Sequence, residues 1–201
     1  QRFDQALEWE RDGQYFNYLT KWMHALDRAA AWTGRSDFSR WSVELARRAH
    51  TAFALGPRRA RTMVWKLSID LSYPLVSSMG QHDPVDGYVT YGALQRTALA
   101  LGVECCGLGE AVGDFATMVE PKRLVSSDPL GIGGLLMDGC LLAELGVDHE
   151  LAALLLAAAA AGLRHYVRQP ELRAEADRRL AFRELGLSLG LAAVERLAGH
   201  C

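Results

Sequence analysis

The sequence predicts an all-α fold of antiparallel helical hairpins, and three observations carry that prediction. Apolar residues recur at i, i+3, i+4 spacing over long stretches. Gly, Pro, Ser and Asp punctuate those stretches where helices begin and end. The links between successive stretches are short, as antiparallel neighbours require. Only the stretch from Arg61 to Ser72, with Thr62, Val64, Trp65, Leu67, Ile69 and Leu71, is ambiguous between a short strand and an irregular crossing segment.

The first helix is predicted over Gln14 to Thr33, with Phe16, Leu19, Trp22, Met23, Leu26 and Ala30 as its apolar stripe and Gly34 as its stop. Ser36 caps a second, Asp37 to Leu55, with Phe38, Trp41, Leu45, Ala49 and Ala52 or Phe53 on its buried side; Gly56-Pro57 ends it. A third enters at Val85, with Asp83 as N-cap and Pro84 at its first position, and runs to Leu101 before Gly102. Its partner is expected over Glu104 to Val119. Ser127 or Asp128 then caps a helix over Pro129 to Leu145 stopped by Gly146, and Asp148 caps its partner, Leu151 to Val167. A short helix after Gln169-Pro170 and an apolar one over Phe182 to Leu197 complete the reading, as a single α-hairpin domain over 1–201.

Composition narrows the function classes. Half of the 201 residues are apolar, enough for a sizeable core. A net charge of −2 with no long Lys/Arg run gives no case for nucleic acid. The most apolar run, Leu151 to Leu163, is shorter than the roughly 20 residues a bilayer requires, so no membrane partner is expected. Cys105, Cys106, Cys140 and Cys201 lack metal-knuckle spacing and read as free thiols of a reducing, cytoplasmic compartment. Gly131-x-Gly133 lacks the third glycine of a dinucleotide fingerprint, and Gly107-x-Gly109-x-x-x-Gly113 has no strand before it; these glycines read as sites of close helix packing, and no cofactor is expected.

The candidate site lies between Trp65 and Thr90, which gathers Lys66, Asp70, Gln81, His82, Asp83 and Asp86 among Trp65, Tyr73 and Tyr88. Asp83 and Asp86 either complement a helix dipole or serve as acids in a cleft. Asp70 is either on the solvent side of an edge strand or at a cavity wall. On the first helix, Asn17, Lys21, His24 and Arg28 share a face that is either solvated or cavity-lining. All five Trp lie at or before position 65, which suits a sugar cleft and equally an aromatic core. The catalytic candidates are Asp70, Asp83, Asp86 and His82. The substrate-binding candidates are Asp12, Gln14, Tyr18, Trp22, His24, Trp65, Lys66, Gln81 and Tyr88, with no metal ligand set.

Polar clusters open alternate helices, at Asp12-Gly13-Gln14, Gln81 to Gly87, Ser126 to Gly131 and Arg183-Glu184. This succession of hairpins with polar and aromatic inner-helix starts resembles the (α/α) toroids of the six-hairpin glycosidase superfamily. The resemblance implies an active site at the mouth where inner helices converge, and a carbohydrate-active enzyme of glycoside-hydrolase type. Two carboxyl groups would act there as acid and as nucleophile or base. An epimerase-like enzyme would use His24 and His82 instead, and a non-catalytic helical-repeat protein would only bind a ligand. Four hairpins fall short of a toroid's six. The expectation is therefore further N-terminal helices, a larger toroid or a homo-oligomer.

Overall fold

The computed structural model describes residues 11–169, 172 and 174–199, and the chain divides into two compact units, Gln1–Val119 and Glu120–Cys201. Both are mainly helical. Among the described residues of the first unit the helices are α1 (Phe16–Thr33), α2 (Ser36–Phe53), α3 (Asp83–Ala100) and α4 (Leu108–Met118); the second holds α5 (Pro129–Leu145), α6 (His149–Tyr166) and α7 (Ala181–Ala198). None of these is long and apolar enough to cross a membrane.

In the first unit α1 packs on α2, α3 packs on α4, and α3 also packs on both members of the first hairpin. That position explains why α3 is the most enclosed helix, with eleven residues buried against five in α1 and six in α2. Burial thus does not single out α1 as the inner member of its hairpin. The core centres on an aromatic knot. The Phe16 ring lies 5.5 Å from those of Phe53 and Phe115, and Tyr91 sits edge-on to Phe115 at 4.9 Å. Edge-on pairs of this kind add about 0.5–1.5 kcal/mol beyond area burial. Tyr91 also donates its hydroxyl to the Ala46 carbonyl at 2.7 Å, which leaves no polar atom of the ring unmet.

Short strands tie the helix ends together. Gln14–Tyr15 (β1), Lys66–Leu67 (β4) and Pro74–Val76 (β5) form an antiparallel sheet in the order β1-β4-β5, with Gln14 opposite Leu67 and Tyr15 opposite Lys66. Ala54–Leu55 (β2) pairs antiparallel with Thr62–Met63 (β3). The ambiguous stretch 61–72 is therefore partly strand, and the same pairing shortens two expected helices. Gln14 and Tyr15 pair with β4 instead of joining α1, and Ala54 and Leu55 pair with β3 instead of ending α2.

The buried face of α1 also differs from the expected stripe. Thr20 and Asp27 are buried while Trp22 is 67% exposed, because α3 supplies polar partners along that face. The α4 helix begins at Leu108, not Glu104, after Gly107 takes a left-handed φ of 86°. At α2, Ser36 is the first helical residue and makes no side-chain cap.

The second unit packs α5 against both α6 and α7. Its caps follow the sequence: Asp128 accepts the Gly131 N–H at 3.2 Å, Asp148 accepts the Leu151 N–H at 3.1 Å, and Gly146 stops α5 at φ 67°. Of the glycines read as packing sites, Gly133 behaves so. A Cβ there would fall 2.2 Å from the Gly186 carbonyl oxygen, and one at Gly190 would fall 2.5 Å from that of Gly133. Gly113 instead faces open space. The start of the short helix expected after Gln169-Pro170 lies outside the described residues, and a 3₁₀ turn, Ala176–Arg178, follows before α7. Phe182, Leu185 and Leu189 of α7 are more than half exposed.

Candidate active site

The first turn of α3 carries two carboxyl groups, and their surroundings differ. Asp86 is 6% exposed and faces α1, where Thr20 donates its hydroxyl at 2.6 Å and Lys21 its ammonium at 2.7 Å. Asp83 is 5% exposed, and its Oδ2 has no hydrogen-bond partner among the described residues. That oxygen packs beneath the loop before α3: a Cβ on Gly80 would lie 2.4 Å from it. Burial, and next the negative charge of Asp86, push the Asp83 carboxyl up from its ordinary value near 3.8 to about 7, against the pull of Lys21. A carboxylic acid that keeps its proton to neutrality is a proton donor; one with both oxygens bonded to cation and hydroxyl is not.

Capping does not account for Asp83. The helix begins at Asp83 itself with His82 as the flanking residue, and no side chain caps it. The expected start at Val85 thus moves toward the N-terminus, and Pro84 becomes the second helical residue. Pro costs nothing there, because the first N–H groups of a helix have no intrahelical partner.

A polar seam continues from this pair along α1. His24 is half-buried, and burial followed by the Lys21 charge pushes its imidazole below its ordinary value. Asp27 is pushed up by burial, although a hydrogen bond from Thr97 opposes this. Asn17 Oδ1 and Asp27 Oδ1 are also buried without a hydrogen-bond partner among the described residues.

Beside the seam, the β1–β4 pairing assembles an aromatic and cationic wall. The Tyr15 ring lies 5.2 Å from Tyr18 and 5.7 Å from Trp65. Lys66, 2% exposed, donates to the Arg11 carbonyl and holds its ammonium 5.1 Å over the Tyr15 ring. Of the other candidates, Gln14 lies on β1, Tyr88 is half-buried on α3, His82 is half-buried, and Asp12 and Gln81 are exposed. Trp22 is on the exposed side of α1.

Asp70 stands apart. It is exposed in a turn, accepts hydroxyl hydrogen bonds from Ser68 at 2.6 Å and Ser72 at 2.7 Å, and is held by them below the usual carboxylate range. It closes its own turn. Among the described residues no cluster of three or more His, Cys, Asp or Glu could hold a metal ion, and Cys105, Cys106 and Cys140 are free thiols.

A second polar constellation, at His50, Arg61 and Asp114, was not legible in the sequence. His50 Nε2 and Arg61 Nε each lie 3.1 Å from Asp114 Oδ2, and Asp114 is 5% exposed. His50 sits on α2 and Arg61 in the β2–β3 hairpin, while Asp114 on α4 lies more than fifty positions from either, so no local spacing announces the cluster. The buried Asp27 did carry a signal, since Phe16, Thr20, Met23, Asp27 and Ala30 follow helical spacing. Comparison with known protein families, curated proteins and solved structures finds no match to this chain.

Proposed function

We propose that the first unit carries an acid–base site for a carbohydrate or related polar small molecule, with chemistry of glycoside-hydrolase type. The observation that carries this reading is the pair Asp83 and Asp86: two neighbouring carboxyl groups whose surroundings separate their roles. Asp83, protonated up to about pH 7, gives its proton to the leaving glycosidic oxygen as the C–O bond breaks. Asp86, its position fixed by Thr20 and Lys21, presents negative charge near the positive charge that develops on the sugar ring. Water adds hydroxide to the sugar and returns the proton to Asp83. Tyr15, Tyr18 and Trp65 are the surfaces on which a sugar face would stack.

The test is hydrolysis of a panel of nitrophenyl glycosides by the 201-residue chain. Activity should fall as pH rises through about 7, where Asp83 loses its proton. Asp83→Asn should lower kcat by about 100-fold or more, the scale of positioned acid catalysis. Turnover undiminished in Asp83→Asn would refute the acid role. The burial of both carboxyl groups favours one rival, a binding-only site. In that case Asp83→Asn would leave sugar affinity intact and no glycoside would be cleaved.

A further inference from the structure

Separate from the acid pair, α2, α4 and the β2–β3 hairpin enclose an open cleft of about 280 Å³. Its polar lining includes Arg47, His50, Arg58, Arg61, Glu110 and Asp114. Part of this set has a structural task. Buried Asp114 needs compensation, and Arg61 supplies it while also donating to the Ala54 and Gly56 carbonyls at 3.3 and 2.9 Å. Arg61 is therefore committed to the hairpin.

The remaining groups exceed what Asp114 requires. Arg58 comes no closer than 3.8 Å to Glu110 and 3.9 Å to Asp114, outside hydrogen-bond range. The Arg47 guanidinium has no hydrogen bond or ion pair among the described residues. Three arginines against two carboxylates leave the lining with net positive charge.

His50 adds direction. An ionised carboxylate only accepts, so the imidazole nitrogen facing Asp114 carries the hydrogen and Nδ1 is left as an acceptor. Burial, the largest influence on the ring, favours this neutral form and outweighs the opposing pull of Asp114. His50 is thus a lining residue of the cleft whose second ring nitrogen is an acceptor, alongside the guanidinium donors.

We propose that this cleft binds a tetrahedral oxyanion that still carries a proton, hydrogen phosphate, with Arg47 and Arg58 meeting its charge and His50 Nδ1 accepting its P–O–H. Guanidinium forks match phosphate oxygens in geometry as well as charge. Sulfate has the same shape and charge but no hydrogen to donate at neutral pH, so it separates directed binding from plain ion attraction.

The experiment is an NMR titration of the 201-residue chain with inorganic phosphate and, separately, sodium sulfate at matched ionic strength. Phosphate should bind saturably and about fivefold more tightly than sulfate, the worth of one net hydrogen bond. The ¹⁵N shift of His50 Nδ1 should move with phosphate alone. Arg58→Ala, at a side chain 68% exposed and so safe for the fold, should weaken both anions. Absence of saturable binding, equal affinity for the two anions, or binding that survives Arg58→Ala would each overturn the assignment.

Discussion

Gly133→Ala is expected to destabilise the second unit by about 3 kcal/mol or more, at or beyond the upper end of ordinary overpacking. The added Cβ would meet backbone, the Gly186 carbonyl oxygen at 2.2 Å and the Leu187 nitrogen at 2.8 Å, so no side chain can rotate away. Relief requires α5 and α7 to move apart, which unpacks the crossing at Gly190 as well. The neighbouring Gly134 gives the opposite sign. Nothing lies within 4 Å of its Cβ position, so Gly134→Ala should gain up to about 1 kcal/mol from helix propensity alone. Urea denaturation followed by circular dichroism reads both. A loss under about 1 kcal/mol for Gly133→Ala would mean that the two helices do not cross this closely.

The second large effect is a dependence of stability on pH that resides in Asp83. Unfolded, this carboxyl releases its proton near pH 3.8; folded, it holds the proton to about 7. Below pH 3.8 both states are protonated and the group is neutral in the balance. Between the two values the folded state binds the extra proton, so stability falls as pH rises, and above about 7 the loss is complete. A rise from 3.8 to about 7 corresponds to on the order of 4 kcal/mol. Asp83→Asn should therefore flatten the pH profile. Relative to the native chain, it should gain most of that amount between pH 4 and pH 8 in urea denaturation. Asp27, also raised, and the lowered His24 and His50 titrate in both proteins, so the difference between the two profiles isolates Asp83. Parallel profiles would show that Asp83 is not buried as described.

The helical plan was legible because its signals are local. Gly34, Asp128, Gly146 and Asp148 stop or cap helices by backbone and side-chain chemistry within a few residues, and each does so in the structure. Strand pairing was half legible. The alternation at 61–72 suggested strand, but its partners Gln14-Tyr15 and Ala54-Leu55 lie at helix edges, where local propensity carries no information about pairing. The close crossing of α5 and α7 was visible only at Gly133, since its partners Gly186 and Gly190 lie in a helix that reads as merely apolar.

The candidate site divides in the same way. That Asp83 and Asp86 gather at the start of one helix was legible; that Asp83 is the one that resists ionisation depended on burial and on Thr20 and Lys21 reaching Asp86 from sixty-odd positions away. Asp70 read as an equal candidate because sequence does not reveal that Ser68 and Ser72 both turn their hydroxyls onto it. The His50, Arg61 and Asp114 cluster is the clearest case of chemistry made only by tertiary contact.

The division into two units has a spectroscopic consequence. Every tryptophan lies at or before position 65, so indole emission reports on the first unit alone, while the far-ultraviolet helix signal sums over both. Trp22 and Trp32, 67% and 92% exposed, will emit at the long wavelengths of hydrated indole even in the native protein, and among the described tryptophans the half-buried Trp65 will change most on melting. A thermal scan recorded by both signals at once therefore measures how far the two units unfold together. Coincident midpoints would mark one cooperative transition, and separated midpoints would mark two. Gly133→Ala should pull the helix signal to lower temperature and leave the indole transition in place if the units melt independently.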